Sequence, residues 1–497
     1  MSFGKIKDNV SIEQLSKSIL MRDRSSHERS VVWERAHHNH SGMRNTHAEY
    51  VPAVRTPLDD TPASVPRTKM QIVSEQLIAL LIFLATYLLL ATGYRERTIA
   101  AMAGVAAMYA FGILTPEEMT AYVDVNAIGL LFGMMIIVGA LREARFFRWV
   151  GVHVANACRC RPMHLLVVFT LMTAGLSALL DNVTTVLFMV TVTIDIAELV
   201  KLDPKPYILS EIVASNIGGI ATLIGDPPNI MIATATGFSF LEFLVNMGPI
   251  SLIALAVSLL YFRRQFRRNM NQAREGQQKP EVLAITAPDV APDRRLLWTG
   301  LTMLVGAVLL FSLQDIVGIY PTVVALAAAV ILLFVGGPKM PEILNDVEWS
   351  TLIFFGSLFV VVGGLEKTGW MTLVARSISP LVGANVPLGV STVLWVSSLA
   401  SAFIDNIPFT AAFIPVLVDL GNLSGANVYP LWWALSAGTG LGGNGTIIGA
   451  SATVIATGLA QARGVKITFV EFAKVGMVIL LLTTAVANVI LLIRFWG

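Results

Sequence analysis

Long stretches with almost no charged residue follow one another from about residue 72 to the end of the chain. Each approaches the roughly 20 apolar residues that a membrane-crossing helix requires, and polar or charged loops separate them. The pattern predicts spans at about 72–91, 96–113, 125–143, 247–262, 296–313, 320–336, 349–366 and 474–494. The predicted fold class is therefore an all-α integral membrane protein that crosses the lipid bilayer many times.

The second half of the chain repeats the first at a constant offset. The segment SALLDNVTT, which begins at Ser177, recurs as SAFIDNIPFT from Ser401, so that Asp181 and Asp405 stand 224 positions apart. The same offset relates the paired glycines and the threonines that follow them, with no gap over some seventy residues. A repeat of this length predicts two halves with the same fold.

Two further apolar elements in each half are interrupted. An Asp-Asn pair interrupts the stretches 163–199 and 385–420, and we expect each stretch to form a re-entrant hairpin that enters the membrane and returns. Paired glycines interrupt 207–236 and 431–460, which predicts a broken helix in each. Each half then crosses the membrane five times, an odd number, so the second repeat is predicted to be inverted relative to the first.

These elements divide the chain into four parts. They are a polar, disordered N-terminal tail (1–70), transmembrane repeat 1 (71–262), a basic cytoplasmic linker (263–295) and transmembrane repeat 2 (296–497). Under the five-crossing scheme the basic loops fall on one side, which is then the cytoplasm. The expected location is the plasma membrane. The sequence HHNH at His37–His40 is interpreted as part of a surface tail, with a metal site as the alternative.

Composition agrees with this picture. The chain is 55% hydrophobic and only 14% charged, which is far less charged surface than a soluble protein of 497 residues needs. The formal net charge of +2 indicates no particular partner, and neither a nucleic-acid partner nor a cofactor is predicted. Cys158 and Cys160 have a spacing that could hold a soft metal or trivalent arsenic, but ordinary reduced thiols are the preferred interpretation.

The carboxylates inside the hairpins are the main candidates for chemistry. A bare carboxylate among apolar membrane residues is costly, so we expect Asp181 and Asp405 to meet a cation, a proton or a hydrogen-bond donor. The simpler alternative is that each caps a helix by accepting bonds from free backbone N–H groups, a role that is compatible with ion binding.

The glycine-rich breaks supply further candidates, because half-helix ends offer N–H groups to an anion or carbonyls to a cation. Asp226 adds a third carboxylate, whose repeat copy is Ala450, and Glu211 is a further titratable group. No Lys or Arg lies inside these elements, which favours a cation or proton over a permanently charged anion. The predicted substrate- or ion-binding residues are Asp181, Asn182, Thr184, Thr185, Ser215, Asn216, Gly218, Gly219, Thr222, Asp226, Asn229, Asp405, Asn406, Thr410, Thr439, Gly442, Gly443, Asn444, Thr446 and Ser451.

The segments LLFGMM, LDNVTT, NIGGIATLIGDPPN, DNIPFT and GGNGTIIGASA resemble the ion transporter superfamily, from about residue 75 to the end. The most similar branch is that of the melanosomal P protein and its prokaryotic relatives, alongside arsenite permeases and D-type sodium/proton antiporters. The resemblance implies scaffold and transport domains, a substrate site where hairpins and broken helices meet, and a homodimer. Related sodium/dicarboxylate carriers have Ser-Asn-Thr motifs where this chain has Asp-Asn, a departure that favours ion exchange. Thr453 is another departure, since relatives often carry Asn there.

The leading functional hypothesis is a secondary active transporter and not an enzyme, with sodium- or proton-coupled cation/proton antiport first. An arsenite or organic-anion permease is the second hypothesis. An intramembrane aspartyl protease that uses Asp181 and Asp226 is a remote alternative, because it leaves the duplicated Asp405 without a role. A passive channel is also compatible with the sequence.

Overall fold

The computed structural model describes six stretches of the chain, which are residues 69–159, 161–276, 292–336, 340–383, 385–425 and 427–495. Within these stretches the regular elements are helices, and no strand occurs. The predicted all-α fold class is confirmed. The tail up to residue 68, with His37–His40, lies outside the described residues, as do Cys160 and residues 277–291 of the linker.

The described helices of the first half follow the predicted spans closely. They are α1 (Lys69–Thr92), α2 (Arg97–Ala110), α3 (Pro116–Tyr122), α4 (Val125–Glu143), α5 (Phe146–Ala157), α6 (Pro162–Ser177), α7 (Asn182–Leu199), α8 (Lys205–Gly219), α9 (Pro227–Thr236), α10 (Phe240–Gln265) and α11 (Arg267–Gly276). The chain leaves the helix between α6 and α7 at the Asp-Asn pair, and between α8 and α9 at the glycine-rich segment. The short helices α3, α5 and α11 were not predicted from the sequence.

The second half runs through the same order of elements. Its described helices are α12 (Arg294–Ser312), α13 (Gln314–Val317), α14 (Pro321–Gly336), α15 (Met340–Asn345), α16 (Trp349–Lys367), α17 (Trp370–Gly383), α18 (Val386–Ser401), α19 (Asn406–Ser424), α20 (Tyr429–Gly442), α21 (Ser451–Ala462) and α22 (Phe469–Phe495). A short 3₁₀ turn at Ile447–Gly449 lies in the break between α20 and α21.

Eight of the described helices are long and apolar enough to cross a membrane: α1, α4, α7, α10, α12, α16, α19 and α22. Helix α1 exposes a stripe of leucines at helical spacing, and more than half of each side chain is accessible at Leu77, Leu81, Leu84 and Leu88. Such a stripe is stable against lipid chains rather than water. The prediction of a multi-pass membrane protein is confirmed. The re-entrant path of the hairpins stays a prediction.

The two halves pack against each other reciprocally. Helix α4 of the first half packs on α14 of the second, and α16 of the second packs on α2 of the first. The hydroxyl of Thr98 donates to the carbonyl of Ser350, and that of Thr322 donates to the carbonyl of Asn126, both at 2.9 Å. These two bonds are related by the offset of 224. Reciprocal contacts of this kind are what a two-fold relation between the halves produces, and the inverted orientation in the membrane stays a prediction.

The orientation has a direct test at α11, which continues from α10 into the basic linker. Asn271 is exposed in this helix. After replacement of Cys158 and Cys160 by serine, a single cysteine in the variant Asn271→Cys should react with an impermeant maleimide only when the cells are opened, because basic loops stay in the cytoplasm. Labelling of intact cells at the same rate as of opened cells would refute the predicted orientation.

Candidate functional site

Each hairpin aspartate is the N-terminal cap of the helix that follows it. The Oδ1 atom of Asp181 accepts a bond from the backbone N–H of Thr184 at 2.8 Å, and Oδ1 of Asp405 accepts one from Ile407 at 3.1 Å. Both aspartates are buried. The capping alternative raised by the sequence is therefore present in the structure, and each carboxylate keeps a second oxygen for another partner.

One side chain forms hydrogen bonds with the free backbone carbonyls in the break between α8 and α9. The amide nitrogen of Asn229 donates to the carbonyls of Gly219, Ile220 and Thr222, at 3.2, 3.3 and 2.8 Å. Its amide oxygen accepts a bond from the hydroxyl of Ser436 at 2.7 Å. Carbonyls released by a helix break need such donors when they are buried. Asn229, predicted as a binding residue, thus has a structural role that uses both ends of its amide.

The same hydroxyl-to-carbonyl bonds recur in both halves. These bonds run from Ser177 to Ser215, from Ser401 to Thr439, from Thr222 to Ala178 and from Thr446 to Ala402. They tie the first arm of each hairpin, and the turn after it, to the broken helix of the same half. Thr222, Thr446 and the backbones of Ser215 and Thr439 therefore hold the two elements together.

The paired glycines allow these elements to approach closely. A Cβ atom at Gly218 would collide with the carbonyl of Ala174, and one at Gly442 would collide with the carbonyl of Ser398. The two contacts are related by the offset of 224. Gly219 and Gly443 lie against the backbone on the far side of their own breaks, at Gly225 and Gly449. These glycines therefore serve close backbone packing.

Asp226 lies where the two hairpins meet. Its Oδ1 atom accepts a bond from the amide of Asn182 at 3.1 Å, and the amide of Asn406 donates to Oδ1 at 3.3 Å and to Oδ2 at 3.1 Å. Asp226 is 1% exposed. The asparagine that follows the aspartate in each hairpin is thus bound to one carboxylate. Asp226 joins the two halves of the chain.

Arg97 contacts two of the predicted residues but was not itself predicted from the sequence. Its Nη1 atom lies 2.5 Å from Oδ2 of Asp405 and also donates to the hydroxyl of Ser451. Ser451 in turn donates to the same Oδ2 at 2.7 Å. No Lys or Arg lies inside the interrupted elements themselves, but Arg97 reaches Asp405 from the start of α2, so the expectation of a candidate site with acids and no base is wrong. The available signal was that Arg97 begins a helix of only 14 residues, which is short for a membrane crossing.

A second contact between the halves joins the two broken helices. The amide of Asn216 donates to the side-chain oxygen of Asn444 at 3.0 Å, and both residues are fully buried. Within the described residues, Oδ1 of Asn216, Nδ2 of Asn444 and Oγ1 of Thr185 have no hydrogen-bond partner. Buried polar atoms without a partner are uncommon, so these three are candidates for contact with a solute or with water.

Two other predicted residues bond elsewhere. The hydroxyl of Thr410 donates to the carbonyl of Asn406 within its own helix at 2.7 Å. Glu211 is fully buried, and its Oε1 atom accepts a bond from Thr193 at 2.5 Å. This titratable group contacts a threonine of α7 and is not hydrogen-bonded to the hairpin aspartates.

A small cavity lies beside the first hairpin. Its walls include Thr184 of α7, Met135 and Arg142 of α4, and Asp346 and Glu348 in the segment before α16. Nη1 of Arg142 lies 3.3 Å from Oδ1 of Asp346, and both side chains are partly exposed. Burial raises the pKa of Asp346 above its ordinary value, and the guanidinium of Arg142 opposes this rise. The cavity is thus lined both by charged residues and by Thr184, whose backbone N–H donates to Asp181.

Taken with its apolar helices, this cluster of polar groups at helix breaks defines a membrane transporter. The family model described as CitMHS, citrate transporter, matches residues 87–438. The chain belongs to this family, a member of the ion transporter superfamily that its motifs resemble.

Each of the following relatives matches 84% of this chain. An uncharacterized transporter of Mycobacterium bovis is 36% identical over 425 residues, which are 84% of this chain and 98% of that protein. A 46 kDa membrane protein of Mycobacterium leprae is 35% identical over 424 residues, with the same coverage. The human P protein is 32% identical over 84% of this chain, and the match covers 59% of the P protein.

The crystal structure of the YdaH transporter from Alcanivorax borkumensis is similar in fold. It superposes with a TM-score of 0.53 at 15% sequence identity, over 86% of this chain and 98% of that one. The protease alternative gains no support from the site, because in the described residues the carboxylate of Asp226 is bonded to two asparagine amides rather than to Asp181.

Proposed function

We propose that the chain is a secondary active transporter driven by a coupling cation, sodium or a proton, that binds at the hairpin carboxylates. The observation that supports this is the charge balance of the site. Asp181, Asp226 and Asp405 are buried carboxylates at the two hairpins, and of these three only Asp405 has an ion pair within the described residues, with Arg97. An uncompensated buried charge is strongly unfavourable, so a bound cation or proton would stabilise the site.

Asp226 is suited to exchange a proton for a metal cation. The two asparagine amides hold its carboxylate in place, and carboxylate oxygens are ligands that suit a hard cation. When a proton replaces the cation, the charge of the site is conserved. This is the simplest mechanism of cation/proton antiport here.

The experiment is flux through purified protein in lipid vesicles, with sodium and proton gradients imposed separately. We expect a sodium gradient to drive proton movement, read with an internal pH-sensitive dye, and a proton gradient to drive uptake of radioactive sodium. Vesicles without protein are the control. Downhill flux of either ion that never drives the other would indicate a channel and would contradict coupled transport.

The carboxylate of Asp181 gives a sharper test. In Asp181→Asn the side-chain oxygen that caps α7 is kept and the negative charge is lost. We expect the folded variant to lose the sodium or proton dependence of its flux. The matched control is Asp195→Asn, because Asp195 is a partly exposed carboxylate of the same helix that pairs with Arg463 at 3.1 Å. Unchanged coupling in Asp181→Asn would leave capping as the whole role of this aspartate.

A second candidate is transport of a carboxylate-bearing organic anion, coupled to the same cation. Two observations support it: Arg97 places a guanidinium in the site, and Nδ2 of Asn444 is a buried donor without a partner in the described residues. Guanidinium groups bind carboxylates well, and the matching family model is described as a citrate transporter. Uptake of radioactive citrate into the same vesicles, with arsenite as a comparison solute, tests this candidate.

A further inference from the structure

The two hairpin aspartates are equivalent in sequence but have different partners. Oδ2 of Asp405 is 2.5 Å from Nη1 of Arg97 and 2.7 Å from the hydroxyl of Ser451. Among the described residues Asp181 has no ion pair, and its carboxylate accepts the cap bond from Thr184. One carboxylate is thus neutralised by the protein itself, and the other is not.

The difference originates at two sequence positions. The residue equivalent to Arg97 at the offset of 224 is Pro321, the first residue of α14, and the residue equivalent to Ser451 is Pro227, the first residue of α9. Both residues that donate to Asp405 are therefore replaced by proline at their equivalent positions, and a proline side chain cannot donate a hydrogen bond.

The surroundings of these positions are otherwise alike. The residue after Arg97 and the residue after Pro321 are both threonines, and each donates to the carbonyl of an equivalent residue at 2.9 Å. The two helix starts therefore lie in matching local positions in the two halves. The asymmetry comes from side-chain chemistry rather than from a different path of the backbone.

Arginine has the properties of a permanent counter-ion. Its guanidinium stays charged at every relevant pH, and a covalently attached group cannot leave with the solute. A carboxylate that accepts bonds from this guanidinium and from a hydroxyl has no need of a diffusing cation. Asp181 does have that need, because Arg142, the one arginine among the described residues that line the cavity beside Thr184 and Glu348, is paired with Asp346.

We propose that Arg97 is a tethered cation that fills one of two equivalent cation positions, so that only the Asp181 side exchanges a coupling cation. This proposal rests on the cation coupling proposed above and names which hairpin aspartate joins Asp226 in carrying it. It follows that removal of the guanidinium exposes a second cation position at Asp405.

The test uses the full-length protein in vesicles. The initial flux is measured as a function of sodium concentration at fixed pH, and as a function of proton concentration at fixed sodium. In the titration with whichever cation drives flux in the wild type, we expect a Hill coefficient of about 1 for the wild type and of about 2 for Arg97→Gln. The double variant Arg97→Gln/Asp405→Asn removes both charges, and we expect its coefficient to return to that of the wild type.

Two control variants separate the loss of the positive charge at position 97 from other effects. One keeps the charge there, and the other breaks a different ion pair. Arg97→Lys keeps the charge, and its Hill coefficient should stay at the wild-type value. Arg463→Gln breaks the ion pair with Asp195, which also joins the two halves, and should leave the coefficient unchanged. Elution of each variant as a single species in size-exclusion chromatography shows that it is folded.

The outcomes separate the two proposals. A wild type whose flux depends on neither cation refutes cation coupling itself and the tethered cation with it. A cation-coupled wild type together with an unchanged Hill coefficient in Arg97→Gln refutes only the tethered cation. If Arg97→Gln is folded but inactive, recovery of flux in the double variant supports the proposal, and continued inactivity overturns it.

Discussion

Asp226→Asn should strongly weaken coupled transport while the protein remains folded. The substitution removes a charge that accepts bonds from both hairpin asparagines. The single side-chain oxygen of an asparagine can accept from Asn182 and from Asn406, as Oδ1 of Asp226 does. Its amide nitrogen then takes the place of Oδ2 and faces the amide nitrogen of Asn406, which donated to Oδ2 at 3.1 Å, so two donors oppose each other. Hydrogen bonds to a charged group contribute about 1.5–3 kcal/mol each, so the affinity for the coupling cation should fall by about 10- to 100-fold or more.

The measurement is initial flux against the concentration of the coupling cation, with size-exclusion chromatography to verify folding. Asp226→Glu serves as the matched variant, because it keeps the charge and lengthens the side chain by one methylene. We expect partial activity from it. Wild-type coupling in Asp226→Asn would mean that the charge at the meeting point of the hairpins is dispensable, and the proposed exchange mechanism would have to be abandoned.

Gly218→Ala should have the largest effect on folding. The new Cβ atom would collide with the carbonyl and Cα of Ala174, which are backbone atoms of α6 and cannot rotate away. Overpacking of a tight contact typically costs about 1–3 kcal/mol, and a collision with backbone belongs at the upper end of that range. We expect a clearly lower melting temperature in detergent. The measurement is the height of the monodisperse peak in fluorescence-detected size-exclusion chromatography after samples are heated to a series of temperatures.

Gly175→Ala is the matched control in the facing helix. A Cβ atom at Gly175 would meet no other atom within 4 Å. Since alanine is favoured over glycine in a helix interior by about 1 kcal/mol, this variant should be neutral or slightly stabilised. Equal melting temperatures for the two variants would show that α6 and α8 separate easily, contrary to the close contact at Gly218.

The positions of the helices could largely be predicted from the sequence, since the apolar runs and the glycine-rich breaks are local signals. The predicted span 125–143 coincides with α4, and both broken helices leave the helical path at their paired glycines. The short helices α5 and α17 were missed because they fall between the apolar runs on which the prediction of spans was based.

Partners across the fold could not be predicted in the same way. The repeat copy of Asp226 is Ala450, and nothing in this local comparison indicates that Asp226 binds the asparagines of both hairpins. Arg97 and Asp405 are 308 positions apart, and no local pattern connects them. The chemistry of individual residues was visible in the sequence, but which of them meet depends on how distant helices pack.

Arg97 pairs with one hairpin aspartate, and its equivalent in the other half is a proline. This difference between the halves has a consequence for how such a protein can change over generations. Two identical half-length chains that associate as a pair carry the same residue at both equivalent positions, so an arginine would have to occupy both or neither. A covalent fusion removes this restriction, because a mutation in one half leaves the other unaltered. The duplicated chain can therefore adjust the number of exchangeable charges one position at a time.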